Sequence, residues 1–204
     1  MKLYLKGNYE TSIYQVCMEY PWKMWFKERK SVEVSFSYAR DDDFYFSVSL
    51  DKFSSNDERW GVTDFKIGDN PWNSFKYEYL ILDFEDSYER DRREKGDYLR
   101  IITTHKDILT VDKRALYILA IEVASAIDGQ ISEDDKETWL SIEKFKTKHA
   151  DLLNLTYDEA VDISIEEITV MKAIDDPIWE ELDRKREEYI QVHGERVYDD
   201  EEDE

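Results

Sequence analysis

The 204-residue sequence contains one cysteine, three histidines and six glycines, and each scarcity excludes a class of chemistry. A lone thiol, Cys17, can form neither an internal disulfide nor a multi-cysteine zinc site. No dinucleotide-binding G-x-G-x-x-G, P-loop or G-x-S-x-G motif occurs. His105, His149 and His193 have no second ligand at the spacing of a dedicated metal motif, although a site assembled from distant positions stays open. We therefore expect no cofactor and no metal, and a protein that is not an enzyme.

Long apolar runs are also absent. A membrane-spanning helix needs about 20 consecutive, mostly apolar residues, and no such run occurs. The first nine residues are interrupted by Lys2, Lys6 and Asn8, so they lack the apolar centre of a secretory signal. Together with the single cysteine, which suits a reducing compartment, these features predict a soluble, cytoplasmic protein.

Basic residues are too few to balance the acidic ones. The chain has 49 Asp and Glu against 28 Lys and Arg, a formal charge of -21. Such a field repels nucleic acid and anionic membranes, and it speeds association with a basic partner. We therefore expect a basic protein as the partner, and neither nucleic acid nor a membrane.

Hydrophobic and aromatic residues are plentiful enough for a folded core. The sequence has 14 Tyr, 9 Phe and 6 Trp, and its length fits one domain of about 100 to 200 residues. We predict a single α+β domain over residues 1–194, with a helical part at about 141–194. The last six residues are all acidic and cannot bury apolar surface, so residues 195–204 are expected to form a disordered tail.

Alternating apolar residues predict strands in the N-terminal half. Residues 2–6 form the first candidate strand. Residues 32–38 and 44–50 alternate on either side of an acidic turn, which predicts a hairpin. Further strands are expected at about 60–67, 75–84 and 98–104, with a solvated charged loop over 85–97. The predicted fold is α+β, with an antiparallel or mixed sheet, helices packed on it and a helical C-terminal third.

Helical spacing dominates the second half of the chain. The clearest helix covers residues 113–127 and should lie across the sheet, with Asp112 as N-cap and Gly129 as its C-terminal stop. Residues 130–132 and 138–140 are expected to pair as a small hairpin.

Capping signals predict three further helices. Ser141 should cap a short helix, and Thr156 with Glu159 forms a capping box for the next. Asp176, followed by proline, should cap the last helix, which Gly194 ends.

Two apolar stripes near the N-terminus have competing interpretations. Cys17 falls on the apolar side of a predicted helix, which favours a buried thiol over a nucleophile. Trp22, Trp25 and Phe26 have the spacing of one helical turn and are expected to pack on the sheet. If exposed, the same aromatics would form a protein-binding hot spot.

Acidic clusters supply the candidate site residues. Asp83 and Glu85 end a predicted strand on one face and could serve as an acid and base pair, but a solvated strand end is the better interpretation. Acids on predicted turns are the candidates for partner binding: Asp41, Asp42, Asp43, Glu85, Asp86, Glu133, Asp134 and Asp135. The three acids of residues 41–43 lack the further oxygen ligands that calcium requires.

One segment resembles a known class of proteins. Residues 115–135, ALYILAIEVASAIDGQISEDD, followed by Thr138, Trp139 and Leu140, resemble a pattern in cytoplasmic immunity proteins of bacterial polymorphic toxin systems. Those proteins are small and α+β, with a helix, a glycine, a short strand, an acidic turn and an aromatic residue. The resemblance implies a protein that binds a toxin domain and blocks its active site. It transfers no binding residues.

Two alternatives to the immunity protein stay open. One is a nucleic-acid mimic that occupies a DNA-binding enzyme, for which the acids must be spaced like phosphates. The other is a hydrolase that uses Asp83 and Glu85.

Overall fold

The computed structural model describes residues 1–9, 13–26, 34–39, 44–52, 57–60, 77–84 and 98–194, with residues 34–39 described as backbone alone. The architecture is α+β, as the sequence predicts. Among these residues, no helix is long and apolar enough to cross a membrane.

The sheet has seven strands within the described ranges, and every neighbouring pair is antiparallel. Their order is β2-β3-β4-β5-β1-β6-β7. The first strand of the chain thus lies inside the sheet, between β5 and β6. The strands are β1 (Lys2–Lys6), β2 (Val34–Ala39), β3 (Tyr45–Leu50), β4 (Leu80–Phe84), β5 (Leu99–Thr103), β6 (Gln130–Ser132) and β7 (Leu140–Ser141).

The helices precede the β2–β3 hairpin and follow β5. They are α1 (Tyr14–Glu19), α2 (Lys23–Phe26), α3 (Thr110–Ala126), α4 (Ile142–Lys148), α5 (Ala150–Leu153), α6 (Tyr157–Glu167) and α7 (Ile178–His193). A short 3₁₀ turn at Glu58–Trp60 stands where the sequence predicted the start of a strand. The rest of that predicted strand, and the predicted loop 85–97, lie outside the described residues.

One hydrophobic core joins the sheet to α3. Alternate residues of each strand point to the same face of the sheet. On that face, Leu3 of β1 and Leu82 of β4 lie on either side of Ile101 of β5. Leu119 and Val123 of α3 are fully buried in the same cluster. The predictions of the hairpin, the sheet and a long helix across it are therefore confirmed.

The predicted burial of Cys17 is confirmed, whereas α2, with Trp25 and Phe26, packs mainly against α3 and not on the sheet. Cys17 is fully buried, and burial raises the pKa of its thiol to about 12. Trp25 is fully buried and Phe26 nearly so, whereas Trp22 is partly exposed. Buried Arg114 donates to the carbonyl oxygens of Met24 and Trp25 at 3.2 and 3.0 Å, and so satisfies the end of α2.

The start of α3 differs from the prediction. The helix begins at Thr110, and Asp112 lies inside its first turn instead of capping it. Its free N–H groups are satisfied from α6: Glu167 accepts from the Thr110 amide at 2.7 Å, and Ser164 accepts from the Val111 amide at 2.9 Å. A neighbouring helix replaces the local cap, which is why the sequence pattern placed the boundary too late.

The end of α3 is a Schellman motif with an unusual residue. The Gly129 amide donates to Ala124 at 2.8 Å, and Asp128 adopts the left-handed conformation with φ 50°. Gly129 is needed for space, since a Cβ there would lie 2.6 Å from the Lys6 carbonyl oxygen. The predicted stop is confirmed, but Asp128 takes the position that glycine usually occupies.

Three of the four remaining caps agree with the sequence. Ser141 accepts from the Lys144 amide, Thr156 and Glu159 form the capping box, and Gly194 ends α7 with φ 80°. Asp176 does not cap α7; its carboxylate instead pairs with the Met1 amino group.

Candidate functional site

The strand register separates the predicted acidic turns into two groups. Tyr45 lies opposite Ala39 on β2 and opposite Asp83 on β4. The segment with Asp41–Asp43, between β2 and β3, and the segment with Glu85 and Asp86, after β4, therefore join the sheet at the same end. We call it the Tyr45 end. These five acids lie outside the described residues, so the structure places only the strand ends that flank them.

The third acidic turn, residues 133–135, lies at the opposite end. Ser132 pairs with Tyr4, and from there β6 runs antiparallel to β1 toward Lys2. The Lys2 ammonium lies 3.2 Å from the Asp135 carboxylate, which confirms the direction. We call this the Lys2 end. Strands of five or six residues at about 3.3 Å per residue separate the ends by about 15 to 20 Å. Residues 133–135 therefore lie at the opposite end of the sheet from the strand ends that flank the other two acidic segments.

The Tyr45 end carries a group of aromatic side chains. Phe84 contacts Tyr9 edge to face at a ring-centroid distance of 5.5 Å, and Phe44 at 6.1 Å. All three pack against the core but remain partly exposed, and Tyr45 is 37% exposed. Sequence reasoning assigned Phe44 to a strand and did not identify the group, because the three residues are 35 to 75 positions apart in the chain.

Glu133 at the Lys2 end is held by three neighbours. Its carboxylate accepts from the Tyr117 hydroxyl at 3.1 Å, from the Lys148 ammonium and from the His149 Nε2 at 2.9 Å. Burial would raise the pKa of Glu133, but the hydrogen bonds from Lys148 and His149 outweigh burial and lower it. The side chain is 15% exposed, so it does not project from the turn as the sequence suggested.

Asp134 organises the turn itself. Its carboxylate accepts from the Thr138 amide and from the Ser132 hydroxyl, each at 2.8 Å. Hydrogen bonds from the Thr138 hydroxyl, the Thr138 amide and the Ser132 hydroxyl lower the pKa of Asp134 to about 2. The same turn holds Asp135 and Lys136 in the left-handed conformation, with φ 56° and 75°. Two of the three acids therefore have structural roles, and Asp135 is paired with Lys2.

The carboxylate of Asp83, the candidate catalytic acid, is already paired with an arginine. Arg100 on β5 donates to both of its carboxylate oxygens, at 3.0 and 2.8 Å. A bidentate guanidinium is typical of a structural pair and favours the charged carboxylate. Its proposed partner Glu85 lies outside the described residues.

A buried ionic cluster was missed by sequence reasoning. Lys52 and Asp112, both essentially inaccessible to water, lie 2.7 Å apart. Nearby, His105 Nδ1 contacts the Glu78 carboxylate at 2.5 Å, and both side chains are buried. Burial raises the pKa of Asp112 to about 6, although Lys52 opposes the change. Sequence spacing gives no signal here, because the four residues come from four different segments.

This cluster shows no arrangement for metal binding. Within the described ranges, no group of three His, Cys, Asp or Glu side chains could hold a metal ion. His149 contacts Glu133, and His193 lies on the exposed C-terminal helix. The cluster instead joins the end of β3 to the first turn of α3 through Lys52 and Asp112.

These features define an α+β protein with an antiparallel sheet, a group of partly exposed aromatics at the Tyr45 end and a hydrogen-bonded acidic turn at the Lys2 end. Comparison of the chain with protein-family models, with curated proteins and with solved structures found no match.

Proposed function

We propose that this chain is an acidic binding protein that neutralises a basic protein by covering its active site, as an immunity protein neutralises a toxin domain. The observation that carries the proposal is the coincidence, at the Tyr45 end, of the aromatic group Tyr9, Phe44 and Phe84 with two acidic segments joined to the same strand ends. Binding hot spots combine aromatic anchors with a polar rim, and acidic groups steer a basic partner toward them.

The charge distribution supports the proposal. Several exposed acids have no cationic partner within the described part of the chain: Asp107, Asp128, Glu137, Asp151, Glu166, Glu180, Asp183 and Glu187. Unpaired surface charge does little for stability, but it creates a long-range field. A basic protein would therefore be attracted before any specific contact forms.

The Tyr45 end is the better candidate surface of the two. At the Lys2 end, Glu133 is bound by Lys148 and His149, and Asp135 by Lys2. A partner would have to break these ion pairs before it could use the carboxylates. The flanks of the Tyr45 end present partly exposed aromatics instead, which a partner can cover without such a loss.

The segment that resembles immunity proteins supports the proposal only through the fold. Its residues form α3, β6 and β7, and Ala115, Leu119 and Ile131 are fully buried. A packing pattern of this kind is compatible with a shared fold, but it names no contact residue.

Capture followed by co-expression tests the proposal. The full chain is immobilised, proteins of the native host are passed over it, and bound proteins are identified by mass spectrometry. We expect a basic protein encoded beside this gene, and we expect co-expression of the chain to protect cells from that protein. Failure to protect would contradict the immunity function, and capture of a DNA-binding enzyme without a toxin would favour the nucleic-acid mimic.

A matched pair of variants tests the surface. Asp41→Asn, Asp42→Asn and Asp43→Asn together should weaken binding of the captured protein. The control carries Glu180→Gln, Asp183→Asn and Glu187→Gln on α7, which remove the same charge from exposed acids elsewhere. Equal effects of both sets would show that the field acts without a preferred surface, and an effect of the control alone would place the interface on α7.

A further inference from the structure

A cavity of about 520 Å³ lies beside the first turn of α3. Its walls are the segment between β5 and α3 and the segment after α6, which are joined where the Lys106 amide donates to the Ile174 carbonyl oxygen at 2.8 Å. Small-molecule sites commonly enclose about 300 to 1,000 Å³. The cavity is therefore large enough for a small ligand.

Three lysines line this cavity: Lys106, Lys113 and Lys172. None of them has a carboxylate partner within the described residues, whereas Lys2, Lys52, Lys146, Lys148 and Lys185 each pair with an acid. In a chain of charge -21, the lining of this cavity carries three lysines against two acids, Asp107 and Glu167. The lysines would attract an anion that the rest of the surface repels.

The acids beside the lysines only partly offset them. Glu167 also lines the cavity, but its two oxygens accept from the Thr110 amide and hydroxyl at 2.7 and 2.6 Å. These hydrogen bonds hold the carboxylate against the start of α3, where it keeps its negative charge. Asp107 is exposed and has no such partner. Both lining acids oppose an anion, and Asp107 is the one that makes no hydrogen bond within the described residues.

Apolar side chains complete the lining. Ile108 is 6% exposed, Met171 is partly exposed, and Ile174 is 52% exposed. An inorganic ion would leave this apolar surface wet, whereas an organic anion would cover it.

We propose that this cavity binds a small organic anion, whose phosphate or carboxylate group contacts the three lysines while its apolar part packs on Ile108 and Met171. The site lies apart from the Tyr45 end, and the inference does not depend on the proposed basic partner.

Anilinonaphthalene sulfonate, an aromatic anion with fluorescence that increases on burial, is the probe. Titration of the full chain at fixed ionic strength should give saturable binding to one site. Lys113→Gln with Lys172→Gln should weaken binding about fivefold to tenfold, and Asp107→Asn should strengthen it about twofold, since each exposed charge contributes up to about 1 kcal/mol. Lys144→Gln, which removes an exposed lysine of α4 that has no acidic partner among the described residues, should have no effect.

Competition identifies the charged group. Phenyl phosphate and benzoate should displace the probe better than phenol, and the stronger of the two identifies phosphate or carboxylate. Amide shifts in an NMR titration should concentrate at residues 106–113 and 171–174. Probe binding that is insensitive to all lining variants, displacement by phenol alone, or shifts elsewhere would overturn the proposal. Because Lys172 is exposed, Lys172→Gln alone preserves the test if the double variant unfolds.

Discussion

Lys52 and Asp112 form an ion pair that is buried away from water. Both charges are removed from water, and their attraction recovers that cost only while the pair is intact. The sequence pattern draws attention to Asp112 but predicts the wrong role for it, that of a helix cap. The role depends on Lys52, sixty positions earlier, which no local pattern connects to it.

We predict that Lys52→Met lowers the free energy of unfolding by about 3 to 5 kcal/mol, because it leaves Asp112 buried without its cation. Lys52→Met combined with Asp112→Leu should recover much of this loss, since no buried charge remains. Urea denaturation at neutral pH measures both. A double variant less stable than Lys52→Met alone would contradict this account.

Asp134 provides a prediction of pH dependence. Its pKa is lowered from 3.8 to about 2, so its ionised form stabilises the fold above pH 4, and this contribution is lost as the pH falls toward 2. Asp134→Ala should therefore destabilise the protein at pH 5 and have a smaller effect near pH 2.5. Glu137→Ala, an exposed acid in the same turn, is the control. A destabilisation by Asp134→Ala that does not change with pH would show that the charge is not responsible.

At the scale of the elements, helix ends show where local signals suffice. The sequence predicts the Ser141 cap and the Thr156–Glu159 capping box correctly, because donor and acceptor lie within three residues of each other. The start of α3 is read wrongly because its acceptors, Ser164 and Glu167, come from another helix. Local chemistry therefore predicts a cap only when the capping side chain is nearby in the sequence.

The C-terminal end of α3 offers a stabilising substitution. Asp128 has φ 50°, which is strained for a residue with a Cβ, and its charge lies at the negative end of the helix dipole. Asp128→Gly should raise the free energy of unfolding by about 1 kcal/mol. Asp128→Ala removes the charge but keeps the strain, so it should stabilise less. The comparison is made by urea denaturation, and equal effects would assign the gain to charge alone.

At the scale of the whole molecule, binding kinetics should distinguish the effect of the long-range acidic field from the effects of contacts at the two sheet ends. For the captured partner, we expect association to slow about tenfold or more between 0.01 and 1 M salt, because the Debye length falls from about 30 to 3 Å. Dissociation should change less, since buried contacts are screened less. Stopped-flow or surface binding measures both rates.

The two acidic turns give the matched comparison in the same assay. Neutralising Asp41, Asp42 and Asp43 should slow association more than neutralising Glu133, Asp134 and Asp135, because acids of the second turn are engaged in ion pairs and turn hydrogen bonds. The opposite order would move the interface to the Lys2 end. If neither salt nor either triple substitution changed the association rate, steering by charge would be excluded.

The sequence by itself determined the fold class, the hairpin of β2 and β3, the long helix and the acidic character, because alternation, helical spacing and charge are local or additive properties. Only the tertiary structure decided which distant segments meet. It placed β1 between β5 and β6, set residues 133–135 at the far end of the sheet from Ala39 and Tyr45, and brought Tyr9 to Phe84 and Lys52 to Asp112. These outcomes depend on strand order and register, which are fixed by packing between distant segments.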